Sequence, residues 1–251
     1  MKKLLLFIFA FISFFSYAQL DREHWFAPMI DRSGQTNPYQ SIYLSTNETT
    51  PVKVDIYSNN AIIGTRTISK GNPQKFPILR SYIITTSTLQ LFKPVAMGIY
   101  VKGEKPFFTS LRFSVNQHAE IVTSKGTAGI GTEFYTTPAP IESSLGNVNF
   151  MTSIMATEDN TQITINNFNP GVQFSDGIAR TSFNITLQKG QSYIINGTSN
   201  FSQNWLGFIG AKITATKDIA VNTGNYLGSI SSEGFQDAGM VQIVPTALLG
   251  D

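Results

Sequence analysis

Beyond its first segment, this chain alternates apolar and polar residues with a period of two, in short runs bounded by Asn, Gly, Ser or Pro. Such runs are the pattern of half-buried β-strands. In the first half they are Ser41-Ile-Tyr-Leu44, Val52-Lys-Val-Asp-Ile-Tyr57, Ala61-Ile-Ile63, Val95 to Val101 and Phe107 to Phe113. In the second they are Asn149 to Met155, Gln162 to Ile165, Ser182 to Leu187, Ser192 to Ile195, Ala211 to Thr214 and Ile219 to Val221. No window carries a convincing period of 3.6, so helix is expected to be minor. Ser58-Asn-Asn60, Lys70-Gly71, Glu158-Asp-Asn160 and Lys189-Gly190 supply residues that tolerate turn and left-handed conformations between these runs.

The pattern is stated twice. Gly98-Ile-Tyr-Val-Lys-Gly-Glu-Lys-Pro-Phe107 aligns without a gap on Gly210-Ala-Lys-Ile-Thr-Ala-Thr-Lys-Asp-Ile219, and Thr50-Pro-Val-Lys-Val54 aligns on Thr161-Gln-Ile-Thr-Ile165 at nearly the same offset. A repeat of this kind predicts two tandem antiparallel β-sandwich modules, over residues 19–133 and 134–251, in an all-β fold. Gly129-Ile-Gly-Thr-Glu133 closes the first copy where Leu248-Leu-Gly-Asp251 stands in the second, so the chain reads as the leading part of a longer protein, cut at 251.

Lys2 and Lys3, an apolar run from Leu4 to Phe15 and Ser16-Tyr-Ala18 before Gln19 form the pattern of a cleaved signal peptide, residues 1–18. The apolar run is shorter than the roughly 20 residues of a spanning helix. Its loss removes two of the 18 basic residues and none of the 16 acidic ones, leaving a formal charge near zero. Without a basic excess there is no electrostatic footprint for nucleic acid, and no polybasic patch for an anionic membrane. The mature chain is expected to leave the membrane as a secreted or surface-displayed protein. With no cysteine, it has neither disulfides nor thiolate metal sites, and its stability must come from burial.

Candidate chemistry is sparse. His24 lies beside Trp25 and Phe26, and His118 follows Asn116-Gln117 in an expected turn; neither has the setting of a catalytic base. Glu158 with Asp159, or Glu133 with Glu142, are candidate carboxylate pairs by proximity in sequence, but the first reads as a turn and Glu133 as repeat punctuation. No Asp-x-Asp-x-Asp-Gly calcium loop occurs. No catalytic, cofactor or metal residue is therefore assigned. The candidate partner-binding residues are the aromatics Trp25 and Phe26, and Phe201, Trp205 and Phe208 in a stretch between two strands. Each group reads first as packing, with stacking on a ligand as its alternative.

Ala156-Thr-Glu-Asp-Asn-Thr-Gln-Ile-Thr-Ile165, Leu187-Gln-Lys-Gly-Gln-Ser-Tyr-Ile194, Gly210 to Val221, and Asp237 followed by Gln242-Ile-Val-Pro245 resemble, in order, the landmarks of the IgGFc-binding protein N-terminal domain family. The resemblance implies an extracellular β-sandwich, of a kind found in mucin-associated animal proteins and in large secreted adhesin-like proteins of gliding bacteria that use the type nine secretion route. Asp218 departs from the usual proline, which Pro106 supplies in the first copy. The expected function is a non-enzymatic adhesion or binding module for an extracellular protein or glycan. The alternatives are an architectural spacer and an accessory domain of a polysaccharide-processing enzyme.

Overall fold

The computed structural model describes residues 20–32, 39–115, 118–232 and 235–248. The expected leader and the final residues 249–251 lie outside them. The first half contains β1 (Asp21–Phe26), β2 (Met29–Ile30), β3 (Ser41–Ser45), β4 (Val52–Ser58), β5 (Ala61–Ile68), β6 (Gln74–Pro77), β7 (Ile84–Thr85), β8 (Ile99–Val115) and β9 (His118–Thr123). The second contains β10 (Ile130–Tyr135), β11 (Met151–Ala156), β12 (Thr161–Asn166), β13 (Phe183–Leu187), β14 (Ser192–Asn196), β15 (Lys212–Gly228) and β16 (Asp237–Gln242). Helix among the described residues is confined to short 3-10 turns. His118, expected in a turn, opens β9 instead.

Two seven-stranded sheets result, and they match strand for strand. The first runs β5-β4-β8-β3-β6, with β1 and β9 also on β8; the second runs β13-β12-β15-β11-β14, with β10 and β16 also on β15. The expected boundary at 133/134 falls inside β10, which pairs with β15 from Ile130 onward. The start of each long strand forms one layer with β1 and β4, or β10 and β12, and its end forms another with β3 and β9, or β11 and β16. The two layers close on an apolar core in each half, lined by Ile42, Val54, Val101 and Leu111 in the first and by Ile154, Ile163, Ile213 and Val221 in the second.

The strands expected separately at Val95–Val101 and Phe107–Phe113 are one 17-residue strand, as are those expected at 211–214 and 219–221. Between the paired segments the register slips: Asp21 opposes Phe107 but Glu23 opposes Lys102, and Gly131 opposes Ile219 but Glu133 opposes Thr214. Extra residues bulge there, and a bulge bends a strand without ending it. Pro106 sits in this bulge, where no ladder N–H is required. Its carbonyl accepts a hydrogen bond from Thr46 Oγ1 at 2.9 Å, and the Asp218 carbonyl accepts one from Thr157 Oγ1 at 2.6 Å. The contact uses a backbone oxygen, so aspartate can stand where the first copy has proline.

The halves are docked rather than strung. Residues of β11 are buried on both faces, because Ile154 points into its own core while Met151 and Met155 pack against first-half residues. The second half thus turns the outer face of its β14-β11-β15-β16 layer to the first, which covers it with its β1–β2 stretch and the loop before β8. Three side chains of that face donate to first-half carbonyls: Asn222 Nδ2 to Ala27 at 2.9 Å, Gln242 Nε2 to Trp25 at 3.1 Å and Ser192 Oγ to Met97 at 2.7 Å. Val95 and Ser192 exchange backbone hydrogen bonds at 2.9 Å, and Phe92, at φ +55, inserts its ring beside Phe174 and Phe183.

His24 lies inside the first half, with Nε2 2.9 Å from the Phe107 carbonyl and 3.2 Å from that of Asp21. Burial holds its imidazole below the usual 6.5, and these hydrogen bonds offset that only in part. Below 6.5 the unfolded chain therefore binds a proton that the folded chain resists, so stability falls with pH until the folded value is passed, by up to about 1.4 kcal/mol per pH unit. Urea unfolding at pH 7.5 and 5.5 should show this loss, and His24→Gln should remove it.

Candidate partner-binding surface

Residues 136–149 carry two prolines, Pro138 and Pro140, that have no N–H to offer, and the segment joins no sheet and turns at Gly146–Asn147. It is pinned along its length. Ala139 N donates to Asn225 Oδ1 at 2.8 Å, Ile141 N to the Trp205 carbonyl at 3.1 Å, Glu142 N to that of Ser229 at 2.9 Å and Asn149 N to that of Leu227 at 2.9 Å. Thr136 Oγ1 donates to the Phe208 carbonyl and accepts from Ala211 N at 3.1 Å.

The neighbouring segment, 197–211, is fixed from below by Asn204. Its buried amide donates to the carbonyls of Gln173 at 2.7 Å and Thr198 at 2.8 Å and accepts from Gln173 N at 2.8 Å. Under both segments lies an aromatic floor, with Phe208 stacked on Phe150 at 4.9 Å and set against Phe168 and Phe174 at 5.4 and 5.9 Å. A floor built this way holds the overlying turns in one shape, which favours recognition because little order must be gained on binding.

What the turns present is apolar. Leu206 is 63% exposed and Ile209 39%, beside a cleft of about 470 Å³ lined also by Ile141, Glu142 and Trp205. Across the 136–149 segment, Ile230 and Phe235 stand 71% and 73% exposed at the β15–β16 connection. Rigid turns topped by exposed apolar side chains, with Glu142 among them, fit a protein surface better than a small molecule.

The sequence-based candidates divide here. Trp25, Phe26 and Phe208 are buried: Trp25 packs on Tyr100 at 5.3 Å, Phe26 joins the first core and Phe208 the aromatic floor. Their burial accords with the packing reading of these three aromatics rather than with the ligand-stacking alternative. Trp205 lines the cleft, its Nε1 donating to the Ser199 carbonyl at 3.1 Å, and Phe201 is exposed at the start of the same turn. Leu206, Ile209, Ile230 and Phe235 were not singled out; their signal was apolar residues outside any alternating run.

The carboxylates are spread out. Glu133 pairs with Lys212 at 2.7 Å, and that contact holds its carboxyl below the ordinary range. In the turn before β12, Asp159 Oδ1 accepts from Lys189 N at 2.9 Å and Thr161 Oγ1 donates to the Glu158 carbonyl at 2.8 Å. Glu142 lies apart from these, at the cleft. His118 meets Asp237 at 3.2 Å, across the junction of the halves.

Compared with known proteins, residues 118–251 match the family model described as IgGFc binding protein. No curated protein and no solved structure matches the chain. The matched segment runs from β9 through β16 and contains the whole surface built above.

Proposed function

Because the chain belongs to the IgGFc binding protein family, we propose that it is a secreted or surface-displayed adhesion module, without enzymatic activity, that holds an extracellular protein partner. The contact surface is the loop end of the second half, centred on Leu206 and Ile209 beside Trp205. The observation that carries this reading is the set of exposed apolar side chains on turns fixed from beneath by Asn204 and the aromatic floor. Its place within the family-matched segment supports it. Adhesion by tandem modules gains strength from effective concentration, so a weak contact at each would suffice.

The test is retention on immobilised residues 20–251. Probes are an immunoglobulin Fc fragment, a mucin, a matrix protein panel and a glycan array, offered to the unchanged chain and to Leu206→Arg. Binding of a protein probe, weakened at least tenfold by the substitution, is the expected result. Retention of glycans alone, or protein binding indifferent to Leu206→Arg, overturns it. Silence toward every probe would make the spacer reading the better one.

A further inference from the structure

The contact between the halves is asymmetric: the loop end of the first covers a sheet face of the second. In a repeat, both surfaces recur. The first half's loop end consists of the β1–β2 stretch and the segment before β8, where Phe92, Val95 and Met97 touch the second half. Its counterpart in the second half is the 136–149 and 197–211 pair, and the alignment that sets Gly98 on Gly210 puts Met97 on Ile209. The covered face also has a counterpart. Register equates β11 with β3 and β14 with β6, so Ser153 and Ile194 correspond to Tyr43 and Lys75, and along the long strands Gly224 corresponds to Arg112.

Both of these counterparts are open to solvent. Tyr43 is 37% exposed, Lys75 and Arg112 are exposed, and shallow clefts of about 380 and 340 Å³ flank Tyr43. The outward positions of β3, β6, β9 and the end of β8 include these two cations and no carboxylate, whereas Glu142 is the one charge in segments 136–149 and 197–211. The surfaces therefore complement each other in charge as well as descent. Composition differs from the covered pair in a consistent way. Met151, Ile194 and Met155 suit a permanent interface, while Tyr, Lys and Arg suit one that forms and separates.

We infer that copies of this chain associate head to tail. The Leu206–Ile209 loop end of one seats on the Tyr43–Lys75–Arg112 sheet face of the next, repeating between molecules the contact that joins the halves within one. This names an occupant for the surface proposed above and rests on that assignment. Because the contact is heterologous, it does not close at a dimer but extends, and tethered copies at a surface would line up.

Sedimentation velocity on residues 20–251, from micromolar to hundreds of micromolar, should show mass rising past a dimer with concentration, and less so in high salt. Leu206→Arg sets a cation against Lys75 and Arg112, and Arg112→Glu sets a carboxylate against Glu142. Each should weaken association at least tenfold, and both positions are exposed, so the unfolding midpoint should stay in place. Mixed in equal amounts, the two variants retain between them one working loop end and one working face, and should associate where neither does alone. A chain monomeric throughout, variants that associate normally, or a mixture that stays monomeric overturns the inference. Retention of a protein probe separates the two readings. If the chain stays monomeric yet loses its probe through Leu206→Arg, self-association fails and the adhesion reading stands; if Arg112→Glu is monomeric yet binds no probe, adhesion fails alone.

Discussion

Replacing Ile194 by lysine, the residue that the repeat places at the matching position 75, is expected to destabilise the chain by about 3–5 kcal/mol, the usual cost of an unpartnered buried charge. Ile194 is fully buried in the shared core with Met151, Tyr226 and Met240, and Phe92 N donates to its carbonyl at 3.1 Å. An ammonium group there would face apolar side chains, without the water that surrounds Lys75. The reciprocal change, Lys75→Ile, lies on an exposed edge strand and should leave stability within about 0.5 kcal/mol. Urea unfolding of the two variants, followed by tryptophan fluorescence, reads both outcomes. Equal effects would mean that the halves do not bury Ile194 between them in solution.

Gly224→Ala should be nearly as costly, at about 4 kcal/mol, although it adds one methyl group. Gly224 has φ +145, and a Cβ built there would come within 2.0 Å of the Gly239 carbonyl oxygen. The backbone conformation alone costs a substituted residue about 1–3 kcal/mol. The clash adds to it because the obstructing atom belongs to β16 and cannot turn aside. What the glycine permits is the close approach of β16, which brings Met240 opposite it and into the shared core. Gly71 provides the comparison: φ is +79 but nothing lies within 4 Å, so Gly71→Ala should cost only about 1–2 kcal/mol. The ranking of unfolding midpoints checks the argument without reference to absolute values.

Legibility in the sequence followed how locally each feature is determined. Turns were readable because few residues accept positive φ: Asn59, Asn60, Gly71, Asn160 and Gly190 all do so where turns were expected. Strand positions were readable from alternation. The continuity of β8 and β15 was not, since Gly103-Glu-Lys-Pro106 carries every mark of a break, and only the pairing partner shows that it is a bulge. Met151-Thr-Ser-Ile-Met-Ala156 did hold a signal for the docked halves, being small or apolar on both faces, as a strand covered on both sides requires. Phe92 held none, because a phenylalanine at φ +55 is selected by the partner it reaches. Aromatic identity could not tell Phe208 from Phe201. One faces the floor and the other the solvent, and that choice belongs to the turn around Asn204.

The long strand of each half is sixth of its seven strands along the chain, yet it is the strand on which both layers assemble. Until residues 99–115 are available, β1, β3 and β4 have no partner that links them, and β10, β11 and β12 wait in the same way for residues 212–228. Contacts this distant in sequence make folding slow, because loop closure must precede any gain from pairing. A polypeptide emerging from a ribosome therefore leaves each half open until its own long strand has been made, at residue 115 and again at residue 228. The first half has all seven of its strands by residue 123, before β10 begins at residue 130, so the two sandwiches close in succession rather than together.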